Sequence, residues 1–388
     1  MEQFSSYQYI QNQASMLQAA VVLRSCKEIA IDLEFDRDRY AYGFTLCLIQ
    51  IHGKGISYLF DPFVGLDFGP VFDILEDETI VKVLHSPGED LQLLHKMGCF
   101  PKNMFDTERS ARILNYSAFS LSNLLNDILG IQLDKSQQKS NWTRSPLSET
   151  QLKYAASDVA HLISLKEELQ MQAMQKDVMD WLKEENAAWD DYRVEEKPDG
   201  HFANKEDSKK LPPFQLHVYN AVLGLRDKIA QELNKPGYQV IPKELAMDVV
   251  FKPELVEDWM NQKGLNPRVK TLDFKRQLKQ IIDIAQQEAT DRNLLKRNPG
   301  SHLSPAQREE LANERVRIAA LVDSGYRKVW QVIADRYGEF TAAYFLNERT
   351  MTDLTTGALK LEDLPYRYRA KLIREISLEL ELSELIKN

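Results

Sequence analysis

The chain has 388 residues, 43% hydrophobic and 28% charged, which is a globular composition at a length beyond what one hydrophobic core organises, so two or three domains are expected. No apolar run approaches the roughly 18 residues of a membrane span, the start MEQFSSYQYI has neither a basic stretch nor an apolar signal core, and Cys26, Cys47 and Cys99 are widely spaced; the expectation is a cytoplasmic protein without disulfide framework or zinc site. The net charge of −9 argues at first against a polyanionic partner, but residues 1–200 carry 19 Lys+Arg against 31 Asp+Glu and residues 201–388 carry 30 against 27; the rear half could hold a polyanion, or the two halves simply differ in solvated surface, which charge balance alone favours.

In chain order, Ala14 to Leu23 has helical periodicity and leads into three strand candidates, IAIDLEF, TLCLIQI and ISYLF, the last two joined by the turn HGKG as a hairpin. After Pro70 the pattern predicts a helix, a strand over 80–85, a helix over 89–97 and a short strand ending at Asp106, an alternating α/β order. Ser120 and Gly130 bracket a further helix as N-cap and stop. The polar loop LDKSQQKSNWTRSP follows, and Ser148 with Gln151 marks a capping box at the head of a long helix. Residues 189–213 lack an apolar period and read as a linker. Two all-helical segments lie beyond it, separated by the breaker RNPGSHLSP. The expected domains are 1–195, 211–290 and 302–388, with linkers 196–210 and 291–301.

The chemistry-bearing residues are acidic. On the strand IAIDLEF, Asp32 and Glu34 project to one face, with about 6–7 Å between their Cα atoms. An acid-x-acid pair arises by chance about nine times in a chain with 58 acids, so the pair alone reads as solvated surface. Its setting in an apolar strand is what singles it out, because an unpaired carboxylate there is costly. Tyr154 and Asp158 are one helical turn apart beside the small residues Ala155 and Ala156. Asp90 falls in the first turn of a helix, where the helix dipole alone favours an acid. If these four carboxylates converge, charges about 4 Å apart repel by about 4 kcal/mol per pair at an effective dielectric near 20. Two hard cations, Mg²⁺ or Mn²⁺, would remove the repulsion and could flank a phosphodiester under attack by water.

With these residues in view, the chain resembles the ribonuclease D family, of the DEDD exonuclease superfamily in its tyrosine subclass. The Asp-x-Glu-Phe motif is matched by Asp32, Glu34 and Phe35, the His then Glu-Asp-Leu motif by His85, Glu89, Asp90 and Leu91, and the Tyr-x-x-x-Asp motif by Tyr154 and Asp158. The block LDKSQQKSNWTRSPLSETQLKYAASDV is similar to the family throughout. The resemblance implies an α/β ribonuclease-H-like exonuclease domain, a mixed sheet flanked by helices, followed by two all-α helical bundle domains of the helicase-and-ribonuclease-D C-terminal (HRDC) type. It implies 3′-to-5′ hydrolysis of RNA to nucleoside 5′-monophosphates, with tRNA precursors and other structured RNA 3′ ends as substrates. Asp32, Glu34, Asp90 and Asp158 would be ligands of two divalent metal ions, and Tyr154 would orient the attacking water. The chain departs from the family after the first motif, where it reads DRDRYAYGF. A DNA-directed exonuclease and a non-catalytic RNA-binding protein on the same scaffold are the alternatives.

In the loop before the third motif, Lys135, Lys139 and Arg144 could meet phosphates and Trp142 could stack on a base, or Trp142 could plug the core while the cations are solvated. His85 is a substrate-site candidate, though a lone histidine at a strand end more often packs or hydrogen-bonds. The basic stretch from Lys252 to Lys279 could track RNA or be a solvated helix face.

Overall fold

A computed structural model describes residues 6–194, 200–298 and 304–386. These residues gather into two compact units, one of residues 1–34, 46–193 and 308–388, the other of 35–45 and 194–307.

The first unit is built on a six-stranded sheet in the order β1-β4-β3-β2-β5-β6. Its strands are β1 (Ser6–Ile10), β2 (Glu28–Arg37), β3 (Phe44–Gly53), β4 (Ile56–Phe60), β5 (Val81–Leu84) and β6 (Met104–Asp106), so β2 lies inside the sheet. The sheet is mixed: β3 and β4 are antiparallel, whereas β1 pairs with β4, β2 with β5, and β5 with β6 in parallel. The β3–β4 hairpin closes through Lys54 and Gly55, both at positive φ, as a tight two-residue turn demands. The strand β1 is absent from the expectations above. SYQYI is an edge strand with alternate residues exposed, too short and too polar to show a core-facing period.

Eight helices of this unit follow in chain order: α1 (Gln13–Arg24), α2 (Gly69–Glu76), α3 (Gly88–Lys96), α4 (Thr107–Ile113), α5 (Leu121–Leu129), α6 (Glu149–Ala160), α7 (Leu162–Gln175) and α8 (Met179–Ala187). At α6 the capping box forms as expected: Ser148 Oγ accepts from the Gln151 amide at 3.3 Å, and Gln151 Oε1 accepts from the Ser148 amide at 3.1 Å. At α5, Gly130 provides the left-handed stop at φ 69°, but the Ser120 side chain makes no capping bond to the backbone.

The second unit holds α9 (Lys205–Lys210), α10 (Pro213–Leu233), α11 (Lys243–Phe251) and α12 (Leu272–Asp291) around buried Tyr219, Val222, Trp259 and Leu278. α9 lies within the stretch expected to be a linker and is capped by Asn204 Oδ1, which accepts from the Asp207 amide at 2.8 Å. Residues 196–199 of that linker and 299–301 of the next lie outside the described residues. Residues 35–45 join this unit through Tyr42, whose hydroxyl donates to Asp227 at 2.8 Å, and through Tyr238, which donates to the Arg39 carbonyl at 2.9 Å.

From residue 308 onward the chain belongs to the first unit again, with α13 (Pro305–Ser324), α14 (Tyr326–Tyr337), α15 (Glu339–Phe345), α16 (Glu348–Thr356) and α17 (Arg367–Glu379). Leu114, Leu165 and Leu169 share one continuous core with Val322, Ile333, Phe345 and Ile373. Asn115 Oδ1 accepts from the Phe340 amide at 2.9 Å, and the side chain sits so close to Gly338 that a Cβ there would fall 2.0 Å from Asn115 Cγ. Gly338 has φ of +100°, so both space and backbone require glycine.

The strongest tie is a buried ion pair. Arg369 Nη2 reaches Glu185 Oε1 at 2.5 Å, with both side chains almost wholly inaccessible to water. Tyr344 donates to the second carboxylate oxygen at 2.6 Å, Tyr368 donates to the first, and the guanidinium stacks on the Tyr344 ring at 4.4 Å. Removing one partner strands the other charge in the core. Arg369→Met is therefore expected to lower unfolding free energy by roughly 3–5 kcal/mol in urea titration, and adding Glu185→Gln should recover a large part of that loss. A single-variant cost below about 1 kcal/mol would mean that this pair does not fasten α17.

Candidate metal centre

Position in the sheet explains why β2 can present acids. Its odd-numbered residues Ile29, Ile31 and Leu33 are packed at 0–4% exposure, while Asp32 and Glu34 alternate with them and are half-buried. On α6, Ala155 and Ala156 at 0% and 1% exposure let the helix approach the sheet, and Ser57 Oγ donates to the Ala156 carbonyl at 3.1 Å. That approach delivers Asp158. Oxygens of Asp32, Glu34 and Asp158 all lie within 4.8 Å of one another. Asp90, buried in the first turn of α3, is outside this tight trio but close enough for its charge to raise Glu34, and Asp32 in turn raises Asp90.

Electrostatically the cluster is frustrated. Burial pushes Asp32 up to about 7, and burial with mutual repulsion holds Glu34, Asp90 and Asp158 well above the usual carboxylate range. Among the described residues, none of the four makes an ion pair with a lysine, arginine or histidine. A set of clustered, partly accessible oxygen donors with no internal counter-charge fits hard divalent cations, and no cysteine or histidine belongs to it.

Tyr154 lies beside Asp158 on α6, and burial with the surrounding acids raises its phenol far above the usual value. It is a protonated hydroxyl at neutral pH. Its ring packs 5.9 Å from that of Trp142, which is 3% exposed. Trp142 is therefore a core plug beneath Tyr154, and its stacking on a base, the other expectation, does not fit its burial. Lys135, Lys139 and Arg144 are exposed on the same loop. His85 is placed by hydrogen bonding: Thr107 Oγ1 donates to the Leu84 carbonyl at 3.1 Å and so accepts from His85 Nδ1 at 2.9 Å, which fixes the tautomer. Burial lowers His85 to about 4, leaving a neutral imidazole. Thr107 carried no signal in the sequence, since only the pairing of β5 with β6 brings it to His85.

The fold and the four acids define a domain of the 3′-to-5′ exonuclease class, and residues 7–173 match the family described as 3'-5' exonuclease. The curated relatives are more specific. The chain is 32% identical over 269 residues to a ribonuclease D of Zymomonas mobilis, covering 66% of this chain and 67% of the relative. It is 30% identical over 256 residues to a ribonuclease D of Sphingobium indicum, covering 64% and 66% respectively. The chain belongs to the ribonuclease D family. Its match spans just under two thirds of the Sphingobium relative and 57–67% of the relatives compared. Among solved structures, Escherichia coli RNase D superposes with a TM-score of 0.67 over 97% of this chain and 99% of its own, at 22% identity. A protein from Bifidobacterium adolescentis superposes with a TM-score of 0.74 over 98% and 97%, at 21% identity. At such identities both establish a shared fold.

The raised carboxylates have a measurable consequence. Between the ordinary aspartate value of 3.8 and about 7, the folded protein holds a proton on Asp32 that the unfolded chain has released. Metal-free stability must then fall as pH rises through that window, and the deficit persists above it. Asp32→Asn removes the charge, so in EDTA at pH 8 the variant should be more stable than the wild type by about 1 kcal/mol or more, with the gap closing toward pH 5. Urea unfolding at several pH values checks this. A gap that is zero or reversed at pH 8 would contradict a repulsive cluster.

Proposed function

We propose that the chain is a 3′-to-5′ exoribonuclease that uses two divalent metal ions, Mg²⁺ or Mn²⁺, releases nucleoside 5′-monophosphates, and acts in the cytoplasm on the 3′ ends of tRNA precursors and other structured RNAs. The observation that carries this reading is the convergence of Asp32, Glu34 and Asp158, with Asp90 adjoining, in a half-open site that lacks an internal cation. Family membership supports the reaction, and Escherichia coli RNase D, which shares the fold, is described as an exoribonuclease involved in structured RNA processing.

In this reading the four carboxylates hold the ions. Bound divalent cations would supply Lewis acidity, lowering the pKa of water and neutralising charge on the phosphodiester. The protein's own residues do the rest. Tyr154, kept protonated by its acidic surroundings, donates or accepts a hydrogen bond that orients the nucleophilic water without acting as its base. Trp142 fixes the angle of that ring. Neutral His85, held by Thr107, borders the second motif as a hydrogen-bonding group for substrate. In the same reading Lys135, Lys139 and Arg144, exposed on their loop, contact phosphates, and the helical segments 211–290 and 302–388 act as HRDC-like modules that hold RNA.

The test pairs a 3′-extended tRNA with single-stranded DNA. With Mg²⁺ or Mn²⁺ the wild type should shorten the RNA stepwise to 5′-monophosphates, and Asp158→Asn or EDTA should reduce the rate at least about 100-fold. Tyr154→Phe should cost about 10- to 100-fold in kcat with little change in KM. Digestion that persists in EDTA would refute the metal-dependent reading, and DNA degraded as fast as RNA would refute the substrate.

A further inference from the structure

We propose that the second unit carries a nucleotide-binding pocket in which Arg226 holds the phosphate, the favoured occupant being one nucleotide of a single RNA strand. This deepens the RNA reading above and rests on it for the identity of the strand.

The pocket has a volume of about 590 Å³, within the range of small-molecule sites, and is walled by Arg226, Lys243, His201, Phe202, Tyr219 and Tyr238. Arg226 projects from α10, and the chain makes room for it. A methyl group built on Gly237 would stand 2.9 Å from Arg226 Nε and 3.2 Å from Cζ, so a side chain there would make the guanidinium shift from where it lies. Its Nε is closed off from water and has no hydrogen-bond partner. Among the described residues no ion pair or hydrogen bond reaches the guanidinium, and burial holds it below its ordinary value against the opposing effect of Tyr219 and the nearby charges of Asp227 and Asp38. A guanidinium Nε closed off from water without an acceptor is costly in a folded protein, and a ligand with oxygen acceptors removes that cost.

The other charges around the pocket are committed. Lys243 pairs with Asp207 at 2.9 Å, Asp227 accepts from the Tyr42 hydroxyl at 2.8 Å, and Asp38 accepts from the Gly43 amide at 2.7 Å. Arg226 and Lys243 face three carboxylates, so the walls hold one negative charge in excess. This balance decides between phosphate sources. A phosphodiester brings one charge and a terminal monophosphate nearly two, so the diester is repelled less. The carboxylate oxygens that remain can accept hydrogen bonds from a ribose 2′-hydroxyl or a base amino group, which a bare phosphate does not offer. Phe202, Tyr219 and Tyr238 offer aromatic surface to a base.

The test measures binding in EDTA, where metal-dependent cleavage does not intervene, so the pocket is judged even if the full-length protein degrades no RNA. A fluorescent 12-nucleotide RNA, the same sequence as DNA, and 5′-AMP are titrated into the full chain. Arg226→Met should weaken RNA binding about tenfold and reduce the slope of log affinity against log salt by about one, the loss of one phosphate contact. Its melting temperature should be unchanged or higher, because a group with a desolvated, unpartnered Nε has been removed; a purely structural arginine would show the opposite. Gly237→Ala, which keeps the charge but displaces the guanidinium, should also weaken binding, and it decides the matter should Arg226→Met fail to fold. RNA bound more tightly than 5′-AMP in an Arg226-dependent way supports the strand, and the reverse order assigns the pocket to free mononucleotide. Affinities for both ligands within twofold of wild type in the two variants would overturn the proposal.

Discussion

Everything in the acidic site depends on one unfavourable interaction, the mutual repulsion of carboxylates that the fold forces together. Asp32 and Glu34 are fixed by an interior strand whose neighbours are hydrogen-bonded on both sides. Neither acid can retreat without breaking the sheet. Asp158 is brought in by α6, which is seated on β4 through Ala155, Ala156 and the bond from Ser57. The apolar contacts of that helix, with Cys47, Leu48, Leu59, Trp142 and Leu152 in the same cluster, offset the electrostatic cost. A site assembled this way is ready before any cation arrives, since the backbone has already been ordered for reasons of packing.

Contrast with the protein's other buried charges shows why this frustration points to function. Glu185 is sealed in the core, yet each of its oxygens has partners in Arg369, Tyr344 and Tyr368. Lys82 is equally inaccessible, and its ammonium donates to the carbonyls of Asp77 and Ile80 at 2.5 and 2.7 Å. These are charges satisfied by the protein itself, and they act as structure. The acidic cluster and Arg226 are different in kind. The cluster leaves charge uncompensated beside an opening, which suits cations, and Arg226 Nε is closed off from water without a hydrogen-bond partner.

What could be read from the sequence follows from which physical signals are local. The strand IAIDLEF, the Lys54-Gly55 hairpin, the Ser148–Gln151 capping box and the left-handed Gly130 each involve residues a few positions apart, and each formed where its pattern indicated. Asp32, Glu34 and Asp158 were singled out by spacing on a strand and a helix, and the fold brought them together. The edge strand β1 escaped notice because half its side chains face water. Equally hidden was the return of residues 308–388 to the first unit, which depends on contacts such as Asn115 with Phe340, separated by 225 positions. The partners of Arg226 and His85 were invisible for the same reason: Gly237 and Thr107 have no distinctive neighbours, and only tertiary packing gives them meaning.

Trp142 carried two readings in the sequence, a stacking platform and a core plug, and its burial favours the second. A tryptophan in a loop with two lysines and an arginine invites a stacking platform, and the polar sequence around it suggests exposure. Yet the side chain is 3% exposed and lies against Tyr154, so its contribution passes through another residue's ring. Tyr154 needs such support. Its hydroxyl, one helical turn from Asp158, is hydrogen-bonded to that carboxylate and lies within the field of Asp32 and Glu34. Packing against Trp142 holds the ring by apolar contact as well, a restraint that is insensitive to how the acids titrate or what they bind. The loop thus serves the acidic site from beneath, while its exposed cations remain on the side open to solvent.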